Sequence, residues 1–208
     1  MGKDKALLVY HRTTAKQPPC GVANTSGPDC SSNRDDNPQV EHVYDLLIPF
    51  CSKVFVSTRP DQGKEPAYAR LPQLHDLPQF NDIGPLGGIL SAMTVYPDAA
   101  WLVLACDLPY IIPETIQALI NGRDPWKFAT AFISTTDQLP EPLCAIWEPQ
   151  ARIAALKLLG EGIKCPRKIL IRSDIQLLLQ KDPHWLDNVN DPQEYAQAKN
   201  LVRKVEIA

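Results

Sequence analysis

An α/β domain with three layers and a mostly parallel sheet is the fold this sequence predicts, on two observations. Short β-branched or apolar runs alternate with segments of helical periodicity through most of the chain. The most apolar run, Trp101–Cys106 (WLVLAC), is short and unbroken, as a strand covered on both faces should be. The length of 208 residues suits one large domain over 1–208.

The elements follow in order. Met1–Tyr10 (MGKDKALLVY) is the first informative segment. Residues 12–38 are rich in Pro, Ser, Thr, Asn, Asp and Gly and nearly lack large apolar side chains, so they read as a flexible surface insertion. Val40, Val43, Leu46, Leu47 and Phe50 then recur at steps of three and four, a helix with one buried face. Lys53–Ser57 (KVFVS) reads as a buried strand, and the polar, proline-bearing stretch Thr58–Asp82 as loop. Gly84-Pro85 opens a helix whose stripe is Leu86, Ile89, Leu90 and Met93. Pro113 starts the next helix and Gly122 ends it. Phe128–Ser134 and Leu143–Trp147 read as strands, and Pro149 and Gly160 bracket a helix. Pro166–Arg172 is ambiguous, Ile175–Leu179 reads as a strand, and Pro192–Val202 as a closing helix.

Composition narrows the function. Lys and Arg total 21 against 24 Asp and Glu, a formal charge of −3, which argues against binding nucleic acid or anionic membrane through bulk charge. No apolar run approaches the ~20 residues that cross a bilayer, and Lys3, Asp4 and Lys5 stand where a secretory signal would become apolar. The expected compartment is the cytoplasm. The six cysteines show no C-x-x-C pair, and Cys51, Cys106 and Cys144 read as small core residues. His11, His42, His75 and His184 have no metal-ligand spacing.

In an open α/β sheet, ligands bind beyond the carboxyl ends of the strands. Three features stand at such places. Asp107 ends the most apolar strand. A carboxylate there can hold Mg²⁺ together with substrate phosphates, or cap the turn before Pro109. Gly84-Pro85-Leu86-Gly87-Gly88 lets a ligand approach a helix start, or serves tight helix–sheet packing. Lys5 can place a point charge on a phosphate, or belong to a solvated cluster.

The order M-G-x-D-K-A-L-L, G-P-L-x-G-I-L-S-A-M, W-L-V-L-A-C-D-L-P and N-V-N-D-P resembles the molybdenum cofactor guanylyltransferases, within the sugar-nucleotide-type nucleotidyltransferases. The resemblance implies a Rossmann-like nucleotidyltransferase fold. It also implies that the terminal phosphate of molybdopterin attacks the α-phosphorus of GTP with Mg²⁺ as cofactor, and that pyrophosphate leaves. Asp107 matches the family's Mg²⁺-binding aspartate, and Lys5 the lysine on the nucleotide phosphates. Ser57 falls where the family has a guanine-contacting Asn, and Asp76 near a second nucleotide-contacting aspartate. Gly84, Leu86 and Gly88 match the segment beside base and ribose. Asn188 and Asn190 match the N-x-N end near the pterin, and Glu141-Pro142-Leu143 a strand start facing the acceptor. Arg167 and Lys168 form either a small basic patch for the acceptor's phosphate or a solvated face.

One departure bears on activity. The family opens with a strand and a Gly-rich loop ending in M-G, and this sequence starts at that M-G. Either the sequence starts at an internal methionine of a longer chain, or the strand is lost, which would expose apolar neighbours, leave ladder partners unpaired and remove catalysis. The alternatives are a CTP-using or sugar-phosphate transferase of the same fold, or a non-catalytic module that delivers the cofactor or contacts a molybdoenzyme.

Overall fold

The computed structural model describes residues 38–189. Met1–Tyr10 with Lys5, the insertion up to residue 37, Asn190 and the helix expected over Pro192–Val202 lie outside the described residues.

The elements run α1 (Gln39–Leu47), β1 (Val56–Thr58), α2 (Pro66–Ala69), β2 (Gln73–His75), α3 (Pro85–Val95), β3 (Trp101–Leu104), α4 (Pro113–Asn121), β4 (Ala129–Ile133), β5 (Pro140–Trp147), α5 (Ala151–Gly160), α6 (Pro166–Ile171) and β6 (Gln176–Leu178). β1 and β2 form a parallel pair. The other four strands form a mixed sheet in the order β3-β5-β4-β6, with β4 and β6 parallel and β5 antiparallel to both its neighbours. The α/β class holds, and β5 is its antiparallel member. Residues 134–139 join β4 to β5, and so short a link can only return the next strand antiparallel.

Alternation along β4 and β5 builds two cores. Ala129, Ala131, Ala145 and Trp147 face one side, where Leu86, Leu90 and Met93 of α3, with Ile169 and Leu170 of α6, complete a cluster. Phe132, Cys144 and Ile146 face the other side, against Val43 and Leu47 of α1 and Ile116 and Leu119 of α4. Helices therefore cover both faces, which gives the three layers. Burial pushes the Cys144 thiol up to about 12, as an inert core cysteine requires. Trp147 is fully buried, and its Nε1 donates to the Pro142 carbonyl at 3.2 Å.

Three sequence expectations change. Thr58–Asp82 is not all loop, since it holds α2 and β2. β2 is Gln-Leu-His, too short and too polar outside Leu74 for any periodicity, and its pairing with β1 alone makes it a strand. The strand expected over Lys53–Ser57 shifts to Val56–Thr58, the three residues β2 can pair. Pro166–Arg172 resolves as α6, with Pro166 in its first turn.

Among the described residues β1 pairs only with β2 and β3 only with β5. Their other edges line one cleft of about 800 Å³, with Val40 and Val43 of α1 and Ile89 of α3 also on its wall. Apolar side chains of both strands thus stand on the two sides of this seam. No helix among the described residues is long and apolar enough to cross a membrane.

Candidate functional site

The turn into α3 builds the first half of the site. Gly84 sits at φ +63°, a conformation that suits glycine, and Pro85 occupies the first helical turn. A Cβ on Gly87 would lie 2.5 Å from the Phe80 carbonyl oxygen and 3.2 Å from Asp76 Oδ2. A Cβ on Gly88 would collide with Ser57 Oγ and lie 3.5 Å from Asp76 Oδ1. Two glycines therefore let β1, the end of β2 and α3 close on one another. Ser57, Asp76 and Gly88, matched separately in sequence, meet here.

Asp76 is held by its own backbone, whose N–H donates to the Thr58 carbonyl at 3.2 Å. Burial raises its carboxyl above the usual aspartate range, and the nearby charges of Arg59 and His75 oppose that rise. Beside it, Thr58 Oγ1 donates to Gln73 Oε1 at 3.1 Å and stands 3.0 Å from His75 Nδ1. Leu86, between Gly84 and Gly88, is fully buried in the core.

The second half lies beyond β3. β3 ends at Leu104, two residues short of the expected Cys106, and Asp107 stands in the turn that follows, with the chain anchored behind it by the buried Leu108 and Ile111. The Gln39 side-chain amide donates to the Leu108 carbonyl at 3.3 Å, which ties α1 to this turn. The Val189 N–H donates to the Asp107 carbonyl at 3.3 Å and brings Asn188 to the same place. Asp107 and Asn188 line a polar cleft of about 670 Å³ with Ser134, Asp137, Glu141 and Arg167. Ala105 and Leu143 line both this cleft and the apolar one, so the two adjoin at the end of β3.

Arg167 is clasped in the polar cleft. Its Nη1 lies 2.8 Å from Asp137 Oδ2 and its Nη2 2.7 Å from Glu141 Oε2. The Asp137 carboxyl is held below the ordinary aspartate value, first by the Leu139 N–H, with Ser134 and Arg167 adding to it. Asp137 escaped sequence reasoning. Its signal was the polar Ser134-Thr-Thr-Asp-Gln138 turn, where Gln138 takes φ +60°.

Among the described residues no group of three or more His, Cys, Asp or Glu assembles to hold a metal. A single carboxylate with an amide oxygen nearby still fits Mg²⁺, which takes hard oxygen donors and keeps several positions for water and phosphate. Asp107 and Asn188 are such donors.

The family model of the MobA-like NTP transferase domain matches residues 1–176. This chain belongs to the MobA-like NTP transferase family. A molybdenum cofactor biosynthesis bifunctional protein of Synechocystis is 33% identical over 197 residues, covering 95% of this MobA-like chain and 49% of the relative. The chain thus spans about half the length of that bifunctional relative. A probable molybdenum cofactor guanylyltransferase of Bacillus cereus is 25% identical over 166 residues, covering 77% of this chain and 82% of the relative. The fold is shared with molybdopterin-guanine dinucleotide biosynthesis protein A of Archaeoglobus fulgidus, at a TM-score of 0.65 and 21% identity over 80% of this chain and 86% of that one.

Proposed function

We propose that this MobA-like chain transfers GMP from GTP to molybdopterin in the cytoplasm and releases pyrophosphate. The observation that carries the reading is the place of Asp107, on the rim of a polar cleft that adjoins, at the end of β3, the cleft lined by Ser57 and Gly88. The names of the relatives support the same chemistry.

In this reading the nucleotide lies over the start of α3. Gly84 and Gly88 allow base and ribose to approach the backbone, and Asp76 accepts N–H donors from the base edge. Ser57 offers a hydroxyl beside them. Lys5, by its family motif, places positive charge near the phosphates. Asp107, with Asn188 and Asn190 on the pterin side, would hold Mg²⁺. When bound, that ion neutralises phosphate charge and aligns attacking and leaving oxygens. The polar cleft receives molybdopterin with its phosphate toward Asp107. Alignment and charge neutralisation do the work, and no covalent protein intermediate is needed.

Thermal-shift titration of the chain with GTP and with CTP, each with Mg²⁺, tests the base. Stabilisation by GTP is expected. Stabilisation by CTP alone would overturn guanylyl transfer, and no response to either nucleotide would favour a non-catalytic module.

A further inference from the structure

Arg167 is the one Lys or Arg among the described residues that line the polar cleft, and it faces Asp107, Asp137, Glu141 and Asp187 there. A phosphate that enters meets four carboxylates and this single guanidinium. Arginine presents a planar fork that matches phosphate as well as carboxylate. Here the fork is divided between two carboxylates, at 2.8 Å to Asp137 and 2.7 Å to Glu141. The Arg167 side chain is 31% exposed, so the fork can turn without disturbing the core. Asp137 is the fixed partner, because its Oδ1 also accepts the Leu139 N–H at 3.1 Å within the β4–β5 turn. Glu141, near the start of β5, is the partner an incoming anion would displace.

A second polar group in the same cleft is unsatisfied. The Gln180 Nε2 donates to the Ile133 carbonyl at 2.8 Å, which fixes the amide. Its Oε1 is buried with no hydrogen-bond partner. An acceptor left in that state costs free energy until a donor reaches it.

We propose that Arg167 is the phosphate-positioning residue of the acceptor cleft, held ready by Asp137 and Glu141 and exchanging Glu141 for a phosphomonoester. The ligand class is a phosphomonoester. The proposal rests on the reading of this cleft as the acceptor side. It adds a competition, in which Glu141 opposes acceptor binding by occupying the fork.

The test is calorimetric titration of the full chain with 6-(phosphooxymethyl)pterin and with 6-hydroxymethylpterin, which lacks the phosphate. Arg167→Gln is expected to weaken the phosphorylated pterin ~10-fold or more and to leave the other within about twofold. Glu141→Gln, nearly isosteric, is expected to tighten the phosphorylated pterin ~3- to 10-fold. Asp187→Asn removes one charge from the same cleft without touching the Arg167 pairs, and an equal gain there would assign the effect to net charge and overturn the exchange. Weaker or unchanged binding in Glu141→Gln overturns the exchange, and so does failure of the unmodified protein to bind the phosphorylated pterin. Should Arg167→Gln fail to fold, Glu141→Gln decides alone. Titration with GTP and Mg²⁺ runs in parallel. Absence of GTP binding sinks the guanylyl reading, while the pterin arms still report on Arg167.

Discussion

The two clefts that meet at the end of β3 differ in what lines them. One carries Asp107, Asp137, Glu141, Arg167 and Asn188 within about 670 Å³. The other, at about 800 Å³, is walled mainly by apolar side chains, among them those of β1 and β3. Volume would rank the apolar cleft first. Chemistry divides them differently, because phosphates need donors and charge, and this wall offers few beyond Ser57 and the Gly88 backbone at its α3 end. In the proposed reading the base side of the nucleotide therefore meets the rim of the apolar cleft at Gly88, and the phosphates meet the polar one. Volume alone does not tell these two roles apart.

Asp107→Ala breaks the comparison most sharply. Turnover of GTP and molybdopterin should fall at least ~100-fold, the scale expected when a principal electrostatic group is lost. Thermal stability should change little, since Asp107 is half-exposed and its turn is anchored by Leu108 and Ile111. Steady-state rates beside a melting curve check both halves. A variant with near-normal turnover would move the metal site elsewhere.

The next effect belongs to the glycines. Gly88→Ala puts a methyl group against Ser57 Oγ and near Asp76, so the nucleotide cluster must open. GTP affinity should drop about tenfold, with a stability loss of ~1–3 kcal/mol typical of overpacking. Gly87→Ala meets the Phe80 carbonyl, a backbone atom, and should cost more stability than Gly88→Ala. Denaturant melts of the two variants give the order.

Val103→Asp probes the apolar cleft. Val103 lines it from β3 and packs against the α3 cluster. An uncompensated charge there should destabilise the fold by ~2–4 kcal/mol, within the range for large single-site effects. If the seam is interior, GTP affinity per folded molecule stays unchanged. A loss of GTP affinity without a loss of stability would extend the ligand site from Ser57 and Gly88 deeper into the apolar cleft.

How much of this was legible in the sequence depends on distance along the chain. Trp101–Cys106 and the stripe Leu86, Ile89, Leu90 and Met93 announced β3 and α3, because continuous apolarity and helical spacing are local signals. β2 was not legible, since three residues with one buried leucine become a strand only through β1. The same holds for the site. Asp107 was visible from its strand end alone. Ser57, Asp76 and Gly88 were visible one by one through the family motifs, but their convergence depends on atoms that two glycines lack. Asp137 was missed because its meaning lies in Arg167, thirty residues away.

The smallest effect separates stability from function at Asp76. Its carboxyl titrates above the usual aspartate value of 3.8, chiefly through burial. A raised acid means the folded protein holds the proton more tightly than the unfolded chain does. That contribution to stability is complete below the unfolded value and is lost as pH rises through the folded one. Asp76→Asn removes the charge and keeps the size. The variant should therefore melt slightly higher than the parent at neutral pH, and the gain should vanish below about pH 3.8, where both side chains are uncharged. GTP should bind the variant more weakly, because an amide replaces one acceptor with a donor at the base edge. Paired melts across pH, with and without GTP, read both. A variant that loses stability at neutral pH would make Asp76 a structural carboxylate, held for Arg59 and His75 rather than for a nucleotide.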